Sequence, residues 1–327
     1  MKNTLALMSL FLSIFILSAQ KSYSESSILM GSSFEITVVA EDEDFAKESL
    51  AIAKKEIIRI ENLISSWDQK SETSRINRNA GIAAVEVSKE LFDLIFRAQQ
   101  ISKLSSGAFD LTFAAIDKLW NFDGRESEMP NPDTLKASVF NIGYQLIELD
   151  EESLTVFLPK KGMKIGFGAI GKGYAADSAK QLLVERGVLG GIINASGDMN
   201  TWGTKPDGSS WTIGIVNPMN NKKVFSWFSL EHNAVVTSGD YEKFTQINGR
   251  RYSHIIDPRT GIPSQGIVSC TIFAGKAELA DAIATAIFVM GVESGLFLID
   301  QLPDIEAILI DDSGIIHRSK NIEIEEN

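Results

Sequence analysis

The chain has 327 residues, of which 44% are hydrophobic, 23% are charged and 8 are prolines. This composition excludes a disordered or fibrous protein and is sufficient for a large packed core. The formal net charge of −12 argues against nucleic-acid binding, because a protein needs a basic surface to displace the counterions of phosphates. The lone cysteine, Cys270, excludes an internal disulfide.

The first residues have the order of a secretory signal. Lys2 precedes an apolar run over 5–17, and the small pair Ser18 and Ala19 follows. The run is shorter than the roughly 20 residues of a membrane-spanning helix, although an uncleaved anchor is the alternative interpretation. We therefore expect a signal peptide over 1–19 and an exported, periplasmic protein whose mature chain starts near Gln20.

Along the rest of the chain, hydrophobic periodicity predicts helices and strands that do not alternate regularly. The predicted helices span 42–64, 91–104 with Ser88 as N-cap, 173–186 and 277–290. The predicted strands lie at 33–40, in a hairpin over 146–158, near 192, and at 211–216, 224–230, 234–237, 244–247, 252–256, 268–273, 307–310 and 315–318. This succession favours an α+β fold over a doubly wound parallel sheet. Since no linker interrupts it, we expect one domain over 28–327.

A glycine-rich segment, GFGAIGKGYAAD at 166–177, lies between a predicted strand and a predicted helix. Glycines let backbone amides approach a ligand closely, and a helix N-terminus favours phosphate. Lys172 would add a positive charge. The spacing is not that of a Walker loop, and a tight strand-to-helix turn without a ligand is the alternative.

Two further segments carry candidate chemistry. His254 lies in YSHIIDPRTGIP, where it is either a structural residue of a strand or a catalytic one. Asp281 and Thr285 are four residues apart on an otherwise apolar helix, so both lie on one face. A buried carboxylate needs a partner, and an oxygen pair suits Mg²⁺. The alternative is a capping or salt-bridged Asp281, paired with Arg259 or Lys276.

Taken in order, these and other segments resemble the ApbE family of FAD:protein FMN transferases over about 30–291. The segments are MGS at 30–32, SSW at 65–67 with SRIN at 74–77, GAFD at 107–110, GAIGKGY at 168–174, INASGD at 193–198, TSGDY at 237–241, HIIDPRTG at 254–261 and ADAIAT at 280–285. HIIDPRTG and ADAIAT are the most specific of these. Two positions depart from the family pattern: Gly166 stands where Asp is common, and Ser196 where Gly is usual.

The resemblance implies a fold of two T-fold-like halves in one compact unit. It implies Mg²⁺ bound by Asp281, Thr285 and the carbonyl of Ala169. It also implies that FAD, the substrate, contacts Met30, Trp67, Ala108, Phe109, Asp110, Lys172 and Ile255. Family members transfer FMN from FAD to a Thr hydroxyl of a redox-pump subunit or related protein, with release of AMP. An FAD hydrolase and a non-enzymatic flavin carrier are the alternatives.

For the reaction, we expect Lys172 to neutralise charge on the AMP side and His254 to act as base, with Asp257 as second candidate. No segment here matches the Asp-Gly-x-Thr-Ser/Gly-Ala-Thr stretch that the family modifies; the nearest, over 109–112, lacks the Gly and the trailing small residues. The acceptor should therefore be another chain, with its Thr segment exported as well. Association with the inner membrane would arise through that acceptor.

Overall fold

The computed structural model describes residues 20–116, 119–217, 220–230, 234–240 and 243–322. The helices are α1 (Glu43–Ile64), α2 (Glu72–Arg78), α3 (Lys89–Leu104), α4 (Pro132–Ser138), α5 (Gly171–Glu185), α6 (Ala277–Met290) and α7 (Val292–Ile299). The strands are β1 (Lys21–Leu29), β2 (Ser32–Ala40), β3 (Val85–Glu86), β4 (Glu148–Asp150), β5 (Thr155–Phe157), β6 (Gly190–Ala195), β7 (Asp198–Trp202), β8 (Thr212–Asn217), β9 (Asn220–Ser229), β10 (Ala234–Gly239), β11 (Phe244–Ile247), β12 (Arg250–Ser253), β13 (Ile267–Ala274), β14 (Glu306–Asp311) and β15 (Ile316–Arg318). Single 3₁₀ turns lie at Leu111–Ala115 and Tyr144–Leu146.

An antiparallel sheet of eight strands organises the chain, in the order β1-β2-β6-β7-β10-β13-β14-β15. Alternate residues of its strands, such as Phe34, Ile36 and Val38, are buried against α1, α5 and α6. The opposite face packs on the β8–β9 hairpin through a smaller cluster that includes Ile213 and Phe273. Helices therefore cover one face and a hairpin the other, which confirms the predicted α+β class. The division into two T-fold-like halves stays a prediction.

A second, separate cluster supports the β11–β12 hairpin. Its buried members are Trp120, Leu135, Ile247, Tyr252 and Ile256. The indole of Trp120 donates a hydrogen bond to the carbonyl of Gly261 at 2.9 Å, which fastens the turn after β12 to this cluster. The hairpin and that turn thus have a hydrophobic core of their own beside the main one.

Helix boundaries follow local signals closely. The predicted bounds of α6 are those observed, and Ser88 caps α3 by accepting the N–H of Leu91 at 3.3 Å. Asp42 caps α1, where its Oδ1 accepts the N–H of Phe45 at 2.8 Å. Helix α5 begins at Gly171, two residues before the prediction, because the N–H of Gly171 already bonds to the carbonyl of Phe167 at 2.7 Å.

Other elements had no counterpart in the sequence prediction. Strand β1 lies on both sides of residue 28, where the predicted domain begins, and pairs with β2 along its whole length. Helix α2 falls in a segment where the sequence predicts a polar loop, and β7 begins at Asp198, directly after the turn at Ser196 and Gly197. The predicted signal segment over 1–19 lies outside the described residues. Within the part of the chain that is described, no helix is both long and apolar enough to span a membrane.

Candidate active site

The site begins where the first turns of α5 and α6 touch. A Cβ on Gly173 would lie 2.2 Å from the carbonyl oxygen of Ala277, so a larger residue cannot occupy this position without displacing backbone. The N–H of Gly173 donates to Oδ2 of Asp281 at 3.1 Å. The glycine-rich segment and the candidate metal ligand, more than a hundred residues apart in sequence, are therefore in direct contact.

Two buried carboxylates and one lysine meet at this junction. Asp281 and Asp198 are 4% and 2% exposed, and the ammonium of Lys172 forms an ion pair with Oδ2 of Asp198. Burial raises the pKa of Asp281 to about 7, and the charge of Asp198 acts in the same direction. Lys172 and the N–H of Gly173 lower the pKa of Asp281 and only partly offset this effect. An added cation would therefore stabilise the pair of carboxylates.

Asp198 is a member of this cluster to which the sequence analysis assigned no role. A two-residue turn places it, with Ser196 and Gly197 at φ values of 55° and 101°. The side chain of Asn194 accepts the N–H of Gly197 at 2.8 Å and closes the turn. Burial raises the pKa of Asp198, against the opposing effects of Lys172 and the N–H of Thr237. The sequence signal was an acidic residue directly after a Ser-Gly turn, at the start of an otherwise buried strand.

The residues proposed as magnesium ligands are arranged around the same junction. Ala169 lies half-buried in the loop before α5, and Thr285 lies half-buried one turn after Asp281 on α6. Among the described residues, no group of three or more His, Cys, Asp or Glu could hold a metal ion. Mg²⁺ does not need such a group, because it takes one or two carboxylates and keeps water or phosphate oxygens. A buried carboxylate with a raised pKa, together with a carbonyl oxygen and a hydroxyl oxygen, is a donor set whose chemistry fits this ion.

Of the alternative interpretation of Asp281, the capping role is found but the suggested partners are not: Asp281 accepts the N–H of Gly173 in the first turn of α5, and neither Arg259 nor Lys276 forms an ion pair with it in the described part of the chain. Arg259 instead forms a bidentate ion pair with Asp257, at 2.8 and 2.9 Å. Lys276 is the residue before α6 and makes no side-chain cap there. The contacts of Asp281 come from α5, which only the folded chain brings near it.

One predicted flavin contact, Met30, lies beside the start of α5, and another, Trp67, is exposed in a loop. Met30 occupies the β1–β2 turn at φ 51°, and its N–H donates to Oε2 of Glu61 at 3.1 Å. The Met30 methyl carbon is 3.5 Å from the place a Cβ on Gly171 would take. Trp67, in the loop after α1, is 82% exposed. Its loop is shaped by Ser65, whose Oγ accepts the N–H of Trp67 at 3.2 Å. An exposed indole offers a ring face of the kind that stacks on a planar ring.

The other predicted flavin contacts are more enclosed. Ala108 and Phe109 are buried, and Phe109 packs in the main core. The carboxylate of Asp110 accepts the N–H and hydroxyl of Thr112 at 2.8 and 2.6 Å, and the N–H of Tyr144 at 2.9 Å. Burial raises the pKa of Asp110, while these bonds lower it. Asp110 therefore closes its own loop, and its contact with flavin stays a prediction.

His254 lies on the side of the second cluster. It is half-buried just after β12, with Nδ1 3.2 Å from the carbonyl oxygen of Lys243 and its ring edge-on to Phe122. Ile255, the next residue, packs against the main core. The second candidate base, Asp257, has its carboxylate held by Arg259. The ion pair with Arg259 occupies the carboxylate of Asp257, so His254 is the better placed of the two candidate bases.

Gly166, the departure from the family pattern, has a structural correlate. A Cβ there would lie 2.9 Å from the Cβ of Ala114, and the N–H of Gly166 donates to the carbonyl of Leu111 at 3.0 Å. An Asp at this position would require Ala114 to move. The close packing of these two segments thus accounts for a glycine at 166.

Comparison with known proteins agrees with this arrangement. The model of the ApbE family matches residues 30–309. An FAD:protein FMN transferase of Klebsiella pneumoniae is 32% identical over 296 residues, covering 90% of each chain. One of Treponema pallidum is 34% identical over 265 residues, covering 76% of this chain and 73% of the relative. The crystal structure of the ApbE protein of Thermotoga maritima superposes with a TM-score of 0.83 at 31% identity, covering 92% of this chain and 97% of that one.

Proposed function

The chain belongs to the ApbE family, and on that premise we propose that it is an FAD:protein FMN transferase. In the proposed reaction, a Thr hydroxyl of a second protein attacks the phosphorus next to riboflavin in FAD. A new phosphorus–oxygen bond forms, the bond to the bridging oxygen breaks, and AMP leaves with that oxygen. The observation that carries the proposal is the junction of α5 and α6, where Gly173, Lys172 and the buried Asp281 converge.

In this proposal Asp281, Thr285 and the carbonyl of Ala169 would hold Mg²⁺, and the ion would supply charge neutralisation at the pyrophosphate. Lys172 provides a second positive charge, and its ion pair with Asp198 keeps the ammonium at the junction before substrate arrives. Backbone amides at the start of α5 favour the phosphates. Met30, beside the start of α5, and the exposed Trp67 then contact the flavin.

The acceptor side is assigned to His254. An imidazole can act as a general base and take the proton of the attacking Thr hydroxyl. Its position on the β12 end of the second cluster, next to the 257–262 turn, leaves it within reach of another chain. We expect that chain to be of the redox-pump-subunit type, with a flexible Thr segment.

Mass spectrometry of an acceptor protein incubated with the enzyme, FAD and Mg²⁺ tests the proposal. We expect the acceptor to gain the mass of FMN, with one AMP released per acceptor modified. An acceptor with its Thr replaced by Val is the control and should gain nothing. The enzyme incubated alone with FAD and Mg²⁺ should lose all flavin on denaturation. Equal AMP release with and without acceptor would instead establish the alternative, an FAD hydrolase.

We also propose that the protein is exported and works in the periplasm, where the acceptor Thr must then be exposed. The support is the order of Lys2, the apolar run over 5–17 and the pair Ser18 and Ala19. N-terminal sequencing of protein recovered from the periplasm should start near Gln20. Recovery of Met1 on exported material would contradict the proposed cleavage.

A further inference from the structure

The start of α6 lacks a cap of its own. Its N-cap residue, Lys276, makes no side-chain hydrogen bond to the first turn. The first N–H groups of a helix have no partners within the helix and must find them elsewhere. Here the partner comes from α5: Asp177 accepts the N–H of Ala277 on Oδ1 and the N–H of Glu278 on Oδ2, each at 3.0 Å.

This contact is half of a reciprocal clamp. Asp177 is one turn after Gly173 on α5, so both face α6. Gly173 donates its N–H to Asp281 at 3.1 Å, while Asp177 accepts from the first turn of α6. The two bonds to Asp177 thus fix the backbone at the start of α6, and the single bond from Gly173 fixes the carboxylate that the helix carries.

A further layer supports Asp177. The side-chain amide of the buried Asn200, on β7, donates to Oδ1 of Asp177. Lys180 in turn donates to the amide oxygen of Asn200 and to the carbonyl of Thr201, both at 2.9 Å. Asp177 therefore uses both of its oxygens, with three donors on two other elements, and its orientation is set from the sheet.

We propose that Asp177 is a positioning residue, which holds the first turn of α6 so that Asp281 stands where it binds the metal. The proposal rests on the proposed function, since it takes Asp281 as a magnesium ligand. Groups that orient a ligand from outside the coordination shell typically change metal affinity by about 10- to 100-fold. The Asp177 carboxylate has no role in the chemistry itself, so its effect should appear in metal binding.

The matched variants are Asp177→Asn and Asp42→Asn. An amide has one acceptor oxygen, so Asp177→Asn leaves one of the two α6 N–H groups facing an NH₂. Asp42 caps α1 through Oδ1, at the end of that helix remote from Trp67, and Asn caps equally well there. Both variants remove one negative charge from a helix cap, but only one of them does so at α6.

Two measurements on the metal-free full chain test the proposal. Free Mn²⁺ is titrated with each protein and followed by electron paramagnetic resonance, with Asp281→Ala marking the signal that does not come from this site. Amide hydrogen exchange is followed in peptides that cover 276–285. We expect Asp177→Asn to weaken Mn²⁺ binding about tenfold and to speed exchange in the first turn of α6. Asp42→Asn should leave both measurements within about twofold of the unsubstituted chain.

The outcomes separate this inference from the function on which it rests. If the unsubstituted chain and Asp281→Ala bind Mn²⁺ alike, the metal assignment is wrong and the inference is overturned with it. If Asp281-dependent binding is present but Asp177→Asn does not change it, only the positioning role is overturned. Unchanged exchange at α6 overturns it as well. If Asp177→Asn does not fold, Asn200→Ala is the substitute, because it removes one donor to Asp177. It must also weaken Mn²⁺ binding and speed amide exchange in the first turn of α6, each by less than Asp177→Asn would.

Discussion

The α5–α6 junction and the β11–β12 hairpin differ in how they hold their functional groups. At the junction, helices touch backbone to backbone at Gly173, and Asp198 and Asp281 are almost completely buried. His254 lies at the end of a short hairpin, on a cluster of five buried residues, and is half-buried. The region proposed to hold Mg²⁺ is fixed by packed helices. The region proposed to meet the acceptor protein is a turn at the surface, where recognition usually lies.

The first prediction tests whether the α5–α6 junction is essential for activity. Asp281→Ala removes the carboxylate on which the metal depends, and we expect both transfer to an acceptor and AMP release to fall by at least about 1,000-fold, or about 4 kcal/mol of transition-state stabilisation. The measurement is AMP release at saturating FAD and Mg²⁺, with circular dichroism to show that the fold survives. Activity within about tenfold of the unsubstituted enzyme would mean that Asp281 is not a ligand.

A second prediction concerns the charge buried at the junction. Because the pKa of Asp281 is raised to about 7, the folded state keeps a proton that the unfolded chain releases near pH 4. The free energy of unfolding of the metal-free protein should therefore fall as pH rises from about 4 to about 7, by a few kcal/mol from this group. Urea unfolding in chelator at pH 5 and pH 8 measures the fall.

The control for the pH effect is Asp281→Asn, which cannot ionise and should lack this part of the pH dependence. Saturating Mg²⁺ should also remove it in the unsubstituted protein, since the ion binds the deprotonated carboxylate. If the two metal-free proteins lose stability in parallel between pH 5 and pH 8, the charge of Asp281 is not buried as described.

The third prediction addresses the hairpin side. His254→Gln removes the proposed base but not the junction, so transfer to the acceptor should fall by about 100-fold while FAD and Mg²⁺ binding stay unchanged. A time course of FMN transfer measures the rate, and fluorescence titration of FAD measures binding, so a loss of catalysis can be told apart from a loss of FAD affinity. Weaker FAD binding with an unchanged maximal rate would assign His254 to substrate binding and would remove the functional contrast between the two regions.

The fourth prediction, with the smallest expected effect, concerns the contribution of Trp67 to FAD binding. Trp67→Ala should weaken FAD binding by about 3- to 10-fold through loss of ring stacking, with little change in stability, because the side chain is 82% exposed. Phe297→Ala, which removes an aromatic ring that is 72% exposed on α7, is the control and should leave FAD binding unchanged. Equal affinities for all three proteins would exclude Trp67 from the flavin site.

Sequence patterns predicted elements well where the signals are local. The bounds of α6 and the Ser88 cap of α3 depend on neighbouring residues, and these predictions are confirmed. Strand β1 was not predicted, because it is an edge strand whose exposed positions are mostly Ser, and its sequence therefore resembles a polar tail. Helix α2, a single short helix in a Ser-rich segment, was missed for a similar reason.

The sequence predicted several residues of the candidate site but not the contacts between them. Asp281 and Lys172 were found from a buried carboxylate and a glycine-rich turn, together with the family resemblance. Their partner Asp198 depends on the strand order, which brings β7 beside α5, and no local pattern encodes that order. Asp177 is likewise only the last residue of the glycine-rich segment in the sequence, because its α6 partners are about a hundred residues away.

The contact between Gly173 and Asp281 also has a consequence for folding. It spans 108 positions of the chain, and the Asp177–Ala277 bond spans 100. Such long loops close late and slowly, because their entropy is lost before the contact is gained. A chain that emerges N-terminus first cannot form the junction until α6 has followed it. Metal and FAD should therefore bind only chains whose folding is complete, and their binding would then slow the return to partly folded states.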